Sequence, residues 1–158
     1  MVFAAWVVFL ALLAWLFQGE IEKRFNPNSD PVAGVGPGGR QEVLLQRNRA
    51  GHYVATGEVN GAPVEFLLDT GATDVALSVS TARRLGLTRG SPVSLATANG
   101  VVRGYRTILN TVSIGGILQS DVRAVITPGI GNDIVLLGMS FLKHIELVQR
   151  DGTLLLRN

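Results

Sequence analysis

The stretch Leu67-Leu68-Asp69-Thr70-Gly71-Ala72 decides the fold of this chain, because an apolar run ends there in an acid, a hydroxyl and a glycine. The two leucines favour burial, and Asp69 follows them with no polar residue between. A carboxylate at the end of a buried strand is costly unless it is paired or hydrogen-bonded. Carboxylates in such surroundings are concentrated at catalytic sites. We therefore interpret Asp69 as a catalytic carboxylate and the rest of the chain as the frame that positions it.

Short β segments flank this stretch on both sides. Asn60-Gly61 is a strong hairpin signal, and it delivers the chain through residues 63–68 to Asp69. Two short helices are predicted at 80–85 and 140–144. The other predicted strands are 42–47, 52–59, 75–78, 93–97, 101–107, 108–114, 117–126, 134–138, 145–149 and 153–157. Because there is no repeat and no long amphipathic helix, this pattern predicts an all-β, barrel-like domain.

The N-terminal part of the chain has a different composition. Residues 2–17 are entirely apolar, which is about the lower limit of length for a membrane-spanning helix. The rival interpretation is a cleaved signal peptide, but no basic residue precedes the run and no small-x-small cleavage pattern follows it. We predict a transmembrane anchor over 1–19, a charged collar and flexible Pro/Gly linker over 20–41, and a folded domain over 42–158.

Composition excludes several classes of function. The 14 basic and 12 acidic residues give a net charge of +2, and the basic residues are too scattered to form a nucleic-acid-binding stripe. The absence of cysteine excludes disulfides and thiolate metal sites. The two histidines, His52 and His144, lie far apart in sequence. We therefore expect no metal, no cofactor and no nucleic-acid partner.

Two motifs together carry a resemblance to a known family. Leu67–Ala72 resembles the active-site motif of retropepsin-like aspartic proteases. Val135-Leu136-Leu137-Gly138 resembles the segment of two apolar residues and a glycine that this family places after its flap. The order of motif, hairpin, apolar-Gly segment, short helix and final strand also fits. The resemblance covers about 42–158, is strongest to bacterial membrane-anchored proteases with a DTGA motif, and implies a closed β-barrel with one or two short helices.

The resemblance implies a mechanism and a partner. In such a site two carboxylates face each other and share one proton, because like charges at close range cannot both ionise. The ionised carboxylate activates a water molecule, and the protonated one polarises the peptide carbonyl. This chain holds one Asp-Thr-Gly motif. The resemblance therefore implies a homodimer in which each subunit contributes Asp69 on a two-fold axis.

The resemblance also assigns roles to the neighbours of Asp69. Thr70 would hold the dyad by hydrogen bonds across the axis, while Gly71 and Ala72 would leave room for a polypeptide substrate. The hairpin tip Ala98-Asn99-Gly100 would be the flap that closes over that substrate. Leu137-Gly138 would pack against the site loop from below.

One departure from the viral members concerns the dimer. There an acid commonly follows the alanine and an arginine follows the apolar-Gly segment, whereas this chain has Thr73 and Met139. Loss of both partners leaves no buried charge unpaired. Other contacts must then hold the dimer, and Phe141 and Leu142 are candidates. A shared membrane would also raise the effective concentration of two tethered chains.

The predicted function is a membrane-anchored aspartic endopeptidase with a dyad of Asp69 from two subunits, including self-cleavage within the linker 26–39. The alternative is a catalytically silent scaffolding module with the same fold. We place the chain in a bacterial inner membrane. The family resemblance favours a periplasmic domain, whereas Lys23 and Arg24 after the apolar run favour a cytoplasmic one.

Overall fold

The computed structural model describes residues 6–10, 12–13, 15, 24–97, 100–131 and 134–158. Residues 6–10, 12, 13, 15, 24 and 25 are helical, and the described residues from 26 onward are mostly β-structure. The strands are β1 (Val32–Val35), β2 (Gln41–Gln46), β3 (Val54–Val59), β4 (Ala62–Leu68), β5 (Val75–Ser78), β6 (Pro92–Thr97), β7 (Gly100–Ile114), β8 (Ile117–Thr127), β9 (Ile134–Leu137), β10 (Glu146–Arg150) and β11 (Thr153–Arg157). The short helices are α1 (Val79–Arg84) and α2 (Met139–Leu142), and a 3₁₀ turn covers Pro37–Gly39.

Two sheets make up the domain. The larger has the order β3-β4-β9-β5-β8-β7-β6, and an additional pairing of β3 with β7 joins its two sides. This pairing closes the sheet into a barrel and leaves β6 outside the ring as one arm of a hairpin with β7. The smaller sheet has the order β1-β2-β11-β10. The prediction of an all-β, barrel-like domain with two short helices is confirmed.

The hairpin before the site forms because its turn residues allow it. Asn60 and Gly61 have φ values of 52° and 76°, which is the left-handed region that a two-residue hairpin turn requires. The turn sets the register of β3 against β4, with Val59 opposite Ala62 and Val54 opposite Leu67. Val64 and Phe66 of β4 point into the barrel and are buried. The turn therefore determines which side chains precede Asp69 on each face.

The arms of the second hairpin differ from the prediction in one respect. Residues 101–107 and 108–114 were expected to be two strands, but β7 is one continuous strand of 15 residues. No glycine, proline or turn signal separates Thr107 from Ile108, so nothing in the chain interrupts the extended conformation. The inner half of β7 pairs with β8 and closes the barrel, while its outer half pairs with β6.

The segment expected to be a flexible linker is instead attached to the domain. β1 pairs with β2, and Asn26 and Asn28 are 3% and 4% exposed. The Asn28 amide donates to the carbonyls of Gln46 at 2.9 Å and Val54 at 2.7 Å, and its oxygen accepts from the Gln46 N–H at 2.6 Å. Each hydrogen bond joins positions 18 or 26 residues apart, and these bonds hold the segment although its composition is typical of a linker.

Asn26 and Phe25 extend this attachment towards the N-terminus. The Asn26 amide donates to Thr56 Oγ1 at 3.0 Å and to Glu65 Oε1 at 2.9 Å. The Asn48 amide donates to the Phe25 carbonyl at 2.9 Å. The chain is therefore bound to the barrel from Phe25 onward, immediately after the charged collar.

The smaller sheet carries an ionic cross-link. Arg157 of β11 lies between Glu42 of β2, at 2.6 Å, and Glu146 of β10, at 3.2 Å. The hydrogen bond to Glu42 raises the pKa of Arg157 above its ordinary value. Because the three strands are adjacent, one guanidinium joins the edge strand β10 to the rest of the sheet.

The predicted anchor is described only in part. Among the described residues, no helix is both long enough and apolar enough to cross a membrane. The remaining residues of the predicted anchor, 1–5, 11, 14 and 16–19, lie outside the described residues.

Phe141 and Leu142 are 0% and 1% exposed and belong to the core of their own chain. They were predicted as dimer contacts, and that prediction is wrong because the barrel itself buries them.

Replacing Asn28 tests the attachment of the N-terminal segment. The Asn28→Ala change leaves a buried N–H and two carbonyls without their partner, so we expect the free energy of unfolding to fall by about 1–3 kcal/mol. Urea denaturation measures it. The control is Ser29→Ala, because Ser29 is the exposed neighbour in the same segment. Equal stability of the two variants would mean that the segment is not attached in solution.

Candidate active site

The end of β4 positions Asp69. β4 lies between β3 and β9, and its last residues Leu67 and Leu68 pair with Leu136 and Leu137 of the parallel strand β9. The chain leaves the ladder at Asp69, whose N–H still donates to the Leu137 carbonyl at 3.2 Å. Two strands and this hydrogen bond therefore fix the backbone that carries the carboxylate.

The carboxylate is stabilised by its own loop. Asp69 Oδ1 accepts from the Gly71 N–H at 2.8 Å, and the Asp69 carbonyl accepts from the Ala72 N–H at 3.2 Å. This is the local side-chain-to-backbone turn that aspartate favours. The sequence suggested a costly buried acid, but Asp69 is half-buried and hydrogen-bonded, while Thr70 and Gly71 are exposed. The side chain is therefore both oriented and open to a ligand.

The turn after β9 lies directly beneath this loop. A Cβ on Gly138 would clash with the Asp74 carbonyl oxygen and would lie 2.7 Å from that of Ala72. Both contacts are with backbone, which cannot move aside as a flexible side chain can. Leu137 is fully buried beside it. The predicted contact of Leu137 and Gly138 with the site loop is present, and only glycine fits at position 138.

The two neutral residues that depart from the viral pattern meet through their backbones. The Met139 N–H donates to the Ala72 carbonyl at 2.8 Å, and the Ser140 N–H donates to the Thr73 carbonyl at 2.9 Å. These are the first N–H groups of α2, which have no partner within the helix. Neutral backbone hydrogen bonds therefore join the loop and the helix at the positions where the viral members have an acid and an arginine.

Asp74 is a site residue that sequence reasoning missed. Its carboxylate forms an ion pair with Arg123 of β8, with Oδ1 and Nε 3.4 Å apart. Oδ1 is buried and makes no hydrogen bond, so the contact is electrostatic rather than a hydrogen bond. Arg123 is 64% exposed and Asp74 26% exposed at the side chain. No local signal in the sequence predicts this pair, because it joins the loop after Asp69 to strand β8, which is distant in sequence.

The structure describes only part of the hairpin that was predicted to carry the flap. β6 and β7 form the expected hairpin, with Thr97 opposite Gly100 at its outer end. Gly100 has a φ of 107°, a conformation that favours glycine at a turn. The other two predicted flap residues, Ala98 and Asn99, lie outside the described residues.

A cleft of about 810 Å³ borders the loop on the side of Thr73 and Asp74. Its other walls come from the segment after α1 and from the base of the β6–β7 hairpin, including Leu87, Val93, Leu95, Arg106 and Ile108. Among the described residues, no group of three or more His, Asp or Glu side chains could hold a metal ion.

Comparison with known proteins gives one family model and two relatives that match this chain. Residues 55–144, more than half of the chain, match the family model described as "gag-polyprotein putative aspartyl protease". An uncharacterized protein in the cobV 5′ region of a Sinorhizobium species is 35% identical, covering 92% of this chain and 67% of its own length. An uncharacterized protein of Rickettsia prowazekii (strain Madrid E) is 36% identical, covering 74% and 51%. The chain thus spans about half to two thirds of these relatives.

Solved structures agree in fold. The crystal structure of a retropepsin-like aspartic protease from Rickettsia conorii matches with a TM-score of 0.60 and 28% identity, over 81% of this chain and 94% of that one. The EIAV protease in complex with the inhibitor HBY-793 matches with a TM-score of 0.51 and 23% identity, over 63% and 93%, a likeness of fold. The chain therefore belongs to the retropepsin-like aspartic proteases, which are aspartic-type endopeptidases.

Proposed function

We propose that this chain hydrolyses peptide bonds as a homodimer in which Asp69 of each subunit forms one half of a dyad. The observation that carries the proposal is the half-buried Asp69 at the end of β4. Its carboxylate accepts from the Gly71 N–H, and its own N–H donates to the Leu137 carbonyl. The other acid of the same loop, Asp74, faces Arg123. The second carboxylate of the dyad therefore comes from a second copy of the chain.

The dyad would work by general acid and base catalysis. The ionised carboxylate takes a proton from a water molecule, while the protonated carboxyl gives its proton to the carbonyl oxygen of the substrate. The water oxygen bonds to the carbonyl carbon and forms a tetrahedral diol. The carboxyl that received the proton passes it to the leaving nitrogen as the C–N bond breaks, and the other carboxylate takes a proton back from one hydroxyl of the diol. Thr70, exposed beside Asp69, faces the partner subunit in this arrangement.

The substrate would be an extended polypeptide held between the loop Thr70–Ala72 and the β6–β7 hairpin. Gly71 adds no side chain at the point where the substrate backbone passes. The hairpin tip, Ala98-Asn99-Gly100, closes over the substrate and excludes bulk water. Its exposed arms support this role, because much of β6 and of the outer half of β7 lies outside the barrel.

Anchoring in a membrane would favour association of the two subunits. The apolar run 2–17 supports an anchor in a bacterial inner membrane, with the catalytic domain on the periplasmic side. Because the chain is bound to the barrel from Phe25 onward, the anchor and the domain are separated only by the collar. Two anchored chains meet at high effective concentration, which compensates for the missing charge pair. A reporter fused after Asn158 identifies the side of the membrane.

Replacing the catalytic carboxylate is the direct test. We expect Asp69→Asn to lower kcat by about 10³-fold or more, because the amide can neither activate water nor share the proton. Cleavage of a peptide library by the full chain, followed by mass spectrometry of the new termini, measures it. The control is Asp121→Asn, an exposed site with a φ of 55° that asparagine also adopts. Cleavage by Asp69→Asn at the wild-type rate would instead favour the silent scaffolding module.

Filling the space at Gly138 tests the support of the loop. The Gly138→Ala change pushes a methyl group against the Asp74 and Ala72 carbonyls and shifts the loop. We expect kcat to fall by about 10²-fold, because misplacement of a catalytic group by about 1 Å has this effect. The control is Gly34→Ala in β1, where a Cβ meets nothing within 4 Å. Unchanged kcat in Gly138→Ala would show that this contact does not position Asp69.

We propose that self-cleavage takes place in residues 31–40, within the segment that was predicted to be a linker. Asn26 and Asn28 are buried, whereas all four residues of β1 and the turn Pro37–Gly39 are exposed. A cut in residues 31–40 would leave the barrel without its anchor. We expect a shorter product in wild type and the intact chain in Asp69→Ala, resolved by immunoblotting with an antibody against the C-terminus. Identical sizes would exclude self-cleavage.

A further inference from the structure

Ser140 is a buried polar residue of α2 that contacts three separate segments. Its hydroxyl donates to the Arg123 carbonyl of β8 at 2.8 Å and accepts from the Val75 N–H of β5 at 3.0 Å. Its own N–H donates to the Thr73 carbonyl at 2.9 Å. The residue is 8% exposed. One small side chain thus joins the helix, the end of the Asp69 loop and the strand that carries Arg123.

The position of these contacts gives them a function. The Asp69 end of the loop is held by β4 and by the Leu137 carbonyl. The other end, Ala72 to Val75, is held by Met139 and Ser140. A loop fixed at one end only would let the carboxylate turn away from the two-fold axis. The second attachment is therefore as important for the direction of the carboxylate as the first.

We propose that Ser140 is a positioning residue for the catalytic loop. Its hydroxyl and backbone N–H hold the loop at the place where the viral members have an acid and an arginine. This inference rests on the proposed function of Asp69. A serine suits the site because a hydroxyl donates and accepts at once and carries no charge to bury. Ser140 also holds the backbone of Arg123, whose side chain faces Asp74 at 3.4 Å. The helix thereby sets both the loop and the ion pair beside it.

The decisive variant is Ser140→Cys, which keeps a side chain of similar shape but replaces the hydroxyl by a weak donor and weak acceptor. We expect kcat per active site to fall by about 10²-fold. KM should stay nearly unchanged, because Ser140 lies beneath the loop and away from the substrate. Ser140→Ala should change kcat in the same direction. Ser120→Ala is the control, since Ser120 is an exposed serine of β8, and it should keep the wild-type kcat.

Counting active sites separates positioning from folding. Titration of the full chain with a tight-binding transition-state mimic counts only competent sites, so kcat is obtained per site even if part of the preparation is unfolded. A serine that only stabilised the fold would lower the number of titrated sites and the Tm but leave kcat per site unchanged. That result would overturn the inference.

A second measurement needs no variant. The Val75 N–H should exchange slowly with solvent in the wild-type chain, because the Ser140 hydroxyl accepts its hydrogen bond. Exchange as fast as that of an exposed loop amide would overturn the inference. Normal kcat per site in Ser140→Cys beside an inactive Asp69→Asn would overturn the positioning role alone. Absence of cleavage by the wild-type chain would overturn both the role and the proposed function.

Discussion

The structure depends on the contact between the loop that carries Asp69 and the turn at Gly138. Two carbonyls of the loop, those of Ala72 and Thr73, accept hydrogen bonds from the first two N–H groups of α2. The backbones approach so closely that position 138 has no space for a Cβ. This approach fixes where the chain can run between β4 and β5.

The barrel brings the loop after β4 and the turn after β9 together. β4 and β9 run parallel and side by side, so both chains leave the sheet at the same end. β4 continues into an acidic loop, and β9 continues into a glycine and a helix start. The free N–H groups of a helix start are good partners for exposed carbonyls. A short helix is sufficient, because its first turn supplies the donors and its buried Phe141 and Leu142 attach it to the core.

Much of this was accessible from the sequence, and the reasons are local. Alternating apolar residues and the Asn60-Gly61 turn predicted most strands to within about two residues, because period and turn chemistry act over a few positions. The LLDTGA and VLLG stretches identified the loop and the turn beneath it. The family match then agreed with both. The continuous β7 was missed because two short strands and one long strand share the same alternation.

The remaining features depend on contacts between distant positions. Asn28 binds Gln46 and Val54, and Asp74 faces Arg123. Neither asparagine nor aspartate in a Pro/Gly-rich or loop segment signals such a partner in advance. The burial of Phe141 and Leu142 in their own core, rather than at a subunit contact, likewise depends on how the helix lies against the barrel. Side-chain partners and faces of this kind become visible only when the strands are assembled.

The parallel pairing of β4 with β9 also determines when the Asp69 loop can be fixed in place during synthesis. Asp69 is made before the groups that hold its loop, which run from Leu137 to Ser140. A chain still being synthesised therefore has the acid but not the support for it. Long-range pairing of this kind forms late in folding. The order of synthesis therefore leaves the Asp69 loop without its second attachment until Met139 and Ser140 have been made.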